Sequence, residues 1–109
     1  MSYDQGLAER IRDLFREHQG VTEKKMFGGL AFMLDGHMFI GITGDRLMAR
    51  VGPAGYSEAL NQAYVREMDF TGKPMKGYVY IAPGGYESDR DLEKWVTLCA
   101  NFVTSLPPK

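Results

Sequence analysis

The sequence is short of cysteine, of net charge and of long apolar runs, and each shortage excludes a class of protein. Cys99 is the single cysteine, so an internal disulfide is impossible and a reducing compartment is expected. The formal net charge is -1 and the pI is near 6.1, which excludes a general nucleic-acid-coating role, because that needs a strong surplus of Lys and Arg. A local basic patch stays open. No apolar stretch approaches the length needed to cross a bilayer, and the amino terminus lacks a basic start followed by an apolar run, so a cytoplasmic location without a membrane partner is expected. Low-complexity tracts are absent as well. With 44% apolar and 25% charged residues, the 109 positions suit one soluble globular domain, 1–109, built on one core.

Catalytic patterns are also missing. A hydrolase or transferase needs a nucleophile with a base in reach, or paired carboxylates in different environments, and neither has a signature here. His18 and His37 are isolated, and no Cys or carboxylate cluster stands at ligand spacing, so neither a metal nor a cofactor is expected. Cys99 falls on the apolar stripe of a helical pattern, where it reads as a small buried hydrophobe rather than a reactive thiolate. Asp35 and Asp45 belong to turns, and Ser88 is explained as a helix cap. No enzyme is expected.

What the chain does contain is a meander. LAFML, HMFIGIT and RLMARV, between Leu30 and Val51, read as three strands joined by the two-residue turns Asp35-Gly36 and Gly44-Asp45, pairs that accept the positive φ angles of tight hairpins. A helix over Ser2 to Gln19 precedes them, with Leu7, Ile11, Leu14 and Phe15 on one stripe and Gly20 as its stop. Gly28-Gly29 reads as a bend before the meander rather than a phosphate-binding loop, since no helix start with Lys-Ser/Thr follows. Gly52-Pro53 begins a short helix to about Gln62, with Tyr56, Ala59, Leu60 and Ala63 as its stripe. Tyr64 to Phe70 and Met75 to Ala82 form a second hairpin around Thr71-Gly72-Lys73-Pro74. Pairing Phe70 with Met75 sets Asp69 across from Lys76 and Glu67 across from Tyr78. Ser88 and Asp91 make a capping box for a last helix carrying Leu92, Trp95, Val96, Cys99, Phe102, Val103 and Leu106 at helical spacing. The expected fold is α+β: a two-layer α/β sandwich of order αβββαββα, with helices on one face of a five-stranded antiparallel sheet.

The turns also predict which side chains share a face. Leu34 falls opposite His37, Met33 opposite Met38, Phe32 opposite Phe39, Ile42 opposite Leu47 and Ile40 opposite Ala49. Ala31, Met33, Met38, Ile40, Ile42, Leu47, Ala49 and Val51 then make an apolar core side. The open side carries Leu30, Phe32, Leu34, His37, Phe39, Gly41, Thr43, Arg46, Met48 and Arg50, joined from the second hairpin by Lys76, Tyr78 and Tyr80. Phe32, Phe39 and Met48 beside Arg46 and Arg50 mark a candidate interaction face, because a contiguous apolar patch usually meets a partner. A homodimer or a partner protein is favoured over base stacking, while the arginines, Lys76 and the tyrosines keep nucleic acid open.

Three segments resemble one family. KKMFGG at Lys24 to Gly29, RVGP at Arg50 to Pro53 and above all MDFTGKPMKGYVYI at Met68 to Ile81 are similar to the amino-terminal domain of the TfoX/Sxy family. Its motif positions here include Lys25, Met26, Phe27, Gly28 and Gly29, then Thr71, Gly72, Lys73, Pro74, Met75 and Gly77. The resemblance covers nearly the whole chain and implies a two-layer domain similar to bacterial secretion chaperones. It further implies regulation of natural competence together with the cyclic-AMP receptor protein or its RNA polymerase complex. The named regulators carry a second, carboxy-terminal domain, and a stand-alone amino-terminal domain without it is the expectation here.

Overall fold

Asp4 and Ser88 begin the two long helices, each by accepting a backbone N–H three residues on: Asp4 from Leu7 at 3.1 Å, and Ser88 from Asp91 at 3.1 Å. A computed structural model describes residues 3–16, 20–26, 28–69 and 74–107. The elements are α1 (Gln5–Leu14), β1 (Val21–Met26), β2 (Gly29–Leu34), β3 (His37–Thr43), β4 (Arg46–Arg50), α2 (Tyr56–Leu60), β5 (Val65–Asp69), β6 (Pro74–Ile81) and α3 (Asp89–Thr104), with a 3₁₀ turn at Pro83–Gly85. Ser2 and the end of the first expected helix, residues 17–19, lie outside the described residues, as do Phe70, Thr71, Gly72 and Lys73 of the second hairpin. Among the described residues no helix is long and apolar enough to cross a membrane.

The sheet is open and antiparallel in the order β1-β2-β3-β4-β6-β5, so it has six strands where five are expected. The additional strand is β1. Its sequence, VTEKKM, shows no apolar alternation because it lies at the sheet edge, where Glu23, Lys24 and Lys25 are exposed and discourage pairing with another chain. Both expected hairpin turns form, with Asp35 and Gly36 at φ 52° and 87°, and Gly44 at φ 61°.

The expected pairing holds from Leu34 and His37 to Met33 and Met38, then shifts: Phe32 pairs with Ile40, not with Phe39. Phe39 is the extra residue of a β-bulge. One inserted residue puts β2 and the start of β3 out of phase with the rest of the meander, so Leu30, Phe32, Leu34, His37 and Phe39 all leave the expected open side and are buried, while Ile40 and Ile42 stay inward as expected. Phe32 and Phe39, 1% and 0% exposed, belong to the main core, where the Phe39 and Phe15 rings stand perpendicular with their centres 5.3 Å apart. Conversely Ala31, Met33 and Met38 move to the other side. β4 keeps its expected orientation, with Leu47 and Ala49 inward.

The same core joins Leu7, Ala8 and Ile11 of α1, Ala59 of α2 and Leu92, Trp95, Val96, Cys99 and Val103 of α3, which sets all three of these helices on one side of the sheet. The ends of the layers are tied by polar contacts. Arg10 donates to the carbonyls of Tyr86 and Glu87, the Tyr86 hydroxyl donates to the Asp45 carbonyl, and the Trp95 indole donates to the Gly85 carbonyl at 3.2 Å. His37 Nε2 donates to the Pro107 carbonyl at 2.7 Å, fastening the end of the last helix to the first turn of the meander. In the second hairpin Glu67 pairs with Val79 and Asp69 with Pro74, so the expected pairing of Asp69 with Lys76 is replaced. The reason is an irregularity at Gly77, which sits at φ 94° and turns its carbonyl to accept the N–H groups of Val51 and Gly52 at 2.9 and 3.1 Å.

Candidate interaction face

Strand register decides what the helix-free side presents. One row of Cα partners crosses the whole sheet: Lys24, Ala31, Gly41, Met48, Tyr80 and Arg66. Partners across an antiparallel pair point to the same side, so these residues form a single band. Its middle is small by sequence. A Cβ on Gly41 would stand 2.4 Å from Met48 Cε, which shows that the thioether lies across β3 in the room that glycine leaves. The Thr43 hydroxyl donates to the Met48 sulfur at 3.5 Å. Met48, Met68 and Tyr80 make a second buried apolar cluster with Tyr78 packed against it, and Met33 and Met38 are half-buried on the same side.

Cations rim this band. The Arg46 guanidinium carbon lies 4.1 Å from the centre of the Tyr80 ring, and that of Arg50 lies 5.5 Å from the rings of Tyr78 and Phe102. Each such stack at an exposed site contributes about 0.5–1 kcal/mol. Arg50 also donates to the Met38 carbonyl at 3.3 Å. The ion pairs among the described residues involve Arg10, Arg12 and Arg16, so Arg46, Arg50 and Arg66 carry charge that no carboxylate there neutralises. At one end of the band a cleft of about 180 Å³ is lined by Arg46, Tyr64, Arg66, Glu67, Tyr80 and Ala82. Glu67, paired with inward-facing Val79 on edge strand β5, borders the cleft from the helix side. There it raises the pKa of the Tyr56 hydroxyl, second to burial as a cause.

Of the residues expected on the open side from sequence, Arg46, Met48, Arg50, Tyr78 and Tyr80 are brought together there, while Phe32 and Phe39 are in the core. Lys76 is exposed on β6, just before the break at Gly77. Arg66, Met68, Met33 and Met38 belong to the face and were not singled out by sequence. Arg66 and Met68 had a usable signal, their alternation with Val65 and Glu67; the two methionines were hidden by the bulge.

The motif residues have a different character. Lys25 is exposed on edge strand β1, Met26 ends that strand, and Gly28 occupies the turn to β2 at φ 72°. A Cβ on Gly29 would stand 1.9 Å from the Ile42 carbonyl oxygen, so this position admits only glycine. Pro74 and Met75 open β6, and Phe27, Thr71, Gly72 and Lys73 lie outside the described residues. Gly29 and Gly77 therefore serve strand packing rather than a ligand. Burial pushes the Cys99 thiol up to about 12, against a smaller opposing contribution from a backbone hydrogen bond with Arg50, and this disfavours the reactive thiolate. Among the described residues no group of His, Cys, Asp or Glu is placed to hold a metal ion.

Residues 13–103 match the family model for the TfoX N-terminal domain. No curated protein matches the chain.

Proposed function

The chain belongs to the TfoX N-terminal domain family, and from that premise we propose that it is a non-enzymatic regulatory module acting by protein contact through the open side of its sheet. Membership supports a regulatory, competence-related role. The observation that carries the contact surface is the set Arg46, Arg50 and Arg66, cations without ion-pair partners among the described residues, around a methionine-rich floor. Transcription control of the Sxy kind in the cytoplasm is the setting this reading implies. Its partners are the cyclic-AMP receptor protein or its RNA polymerase complex, with a homodimer as the other arrangement.

Nucleic acid is the second reading, and the same arginines favour it. Against it stand the slightly acidic net charge and the guanidinium groups already stacked on Tyr78 and Tyr80. Light scattering after size exclusion tests the first reading, using the chain alone and mixed with the cyclic-AMP receptor protein or RNA polymerase. A heavier species that is lost in Arg50→Glu supports it. A chain that stays monomeric and elutes apart from both partners sinks it.

A further inference from the structure

At about 180 Å³ the cleft between β4, β6 and β5 is smaller than the roughly 300–1,000 Å³ of small-molecule sites, so it takes an end group of a larger ligand rather than a whole cofactor. The end group is an anion. Arg46 and Arg66 both line the cleft and neither has an ion-pair partner among the described residues; Glu67 borders it as well, so two cations face one carboxylate and the balance is positive. A second cation, Arg50, stands four residues along β4 from Arg46, about 13 Å away at strand rise. Between them lies buried Met48 beside Tyr80, and half-buried Met33 and Met38, flexible thioethers that adapt to varied apolar side chains, stand at the Arg50 end.

Phosphate and carboxylate both suit an arginine fork, and the rings decide between them. Binding of single strands relies on bases stacking on open aromatic faces. Here Tyr80 is only 8% exposed with Arg46 over its ring, and Tyr78 lies under Arg50. Carboxylates ask nothing of the rings. We propose that this face binds an acidic protein segment, one carboxylate held between Arg46 and Arg66, a second at Arg50, and an apolar side chain beyond it on Met33 and Met38. The proposal rests on the protein-contact reading above and adds the chemistry of the partner.

The test is fluorescence anisotropy of the full chain with a labelled extended peptide bearing Glu at i and i+4 and Leu at i+6. Parallel titrations use the Gln-for-Glu peptide and a labelled single-stranded oligonucleotide. The expected result is salt-sensitive binding of the Glu peptide alone, weakened at least about tenfold by Arg46→Glu combined with Arg66→Glu, as loss of a charge-assisted pair implies. Arg90→Glu, on α3, leaves binding unchanged. Circular dichroism of each variant confirms that it is folded. Equal binding of the Gln peptide, or the oligonucleotide bound in place of the Glu peptide with the same dependence on arginine, overturns the proposal. If no peptide binds while the chain still forms an Arg50-dependent complex with a protein partner, the acidic-segment chemistry falls and the protein-contact reading stands.

Discussion

Two phenylalanines and a glycine show how single residues change the meaning of this sequence. Strict alternation from the Asp35-Gly36 turn puts Phe32 and Phe39 on the binding side, and a bulge of one residue returns both to the core. Nothing local distinguishes HMFIG as bulged, because a bulge is fixed by what the neighbouring strands and helices require and not by residue preference. Arg46, Met48 and Arg50 were legible because they lie beyond the bulge on a strand whose pairing to β3 holds as expected. Gly29 carries the opposite lesson. As part of KKMFGG it resembles a functional motif, yet its missing side chain is what lets β2 approach Ile42. Gly29→Ala is expected to cost about 3 kcal/mol or more, the upper range of overpacking, since the obstruction is backbone that cannot rotate away. Urea unfolding measures this; a loss below about 1 kcal/mol would mean that the strands part without penalty.

At the level of elements, the strong periodic patterns were readable and the polar ones were not. α3 and its Ser88 cap follow directly from apolar spacing and capping chemistry, and β1 was missed because an edge strand that repels other chains resembles a loop in composition. What holds β1 to the helix layer is a fork: Arg12 Nε and Nη2 donate to the two carboxylate oxygens of Glu23, each at 2.7 Å. The hydrogen bond from Arg12 is the largest cause holding the Glu23 pKa below its ordinary value, with burial opposing it. Both side chains are about a third exposed, at 34% and 35%, so solvent screening limits the pair to about 1 kcal/mol or less. A lowered carboxylate pKa gives stability that is present above the unfolded value of about 4.3 and is lost as pH falls through the folded one. Glu23→Gln is therefore expected to be less stable than the parent near neutral pH, with the gap closing in strong acid. Urea melts at neutral and acid pH check this, and a gap independent of pH would assign the cost to packing.

Across the whole molecule, the same one-sided layering that leaves the arginine face bare drives two weak acids deep between sheet and helices. Cys99 sits on the buried side of α3, and Tyr86, just ahead of that helix, is tied to the β3–β4 turn by its hydrogen bond to the Asp45 carbonyl. Burial is the largest cause for both, pushing each up to about 12. Asp4 and Asp45 add to the rise at Tyr86, and Arg10 opposes it. In the unfolded chain a thiol ionises near 8.5 and a phenol near 10. The unfolded state therefore loses protons first, so native stability is full below about pH 8.5 and declines as pH rises toward 12. By pH 10 the thiol alone accounts for a loss of about 2 kcal/mol, from roughly one and a half pH units above its unfolded value at 1.36 kcal/mol each. Tyr86 adds only beyond that point, which separates the two. Cys99→Ala is expected to flatten the decline between pH 8.5 and 10 and Tyr86→Phe only the later part, whatever constant penalty either change adds through lost packing. Urea unfolding across this range reads both slopes. An unchanged slope in Cys99→Ala would show that the thiol ionises in the folded protein, and rapid reaction of native Cys99 with a thiol reagent would say the same.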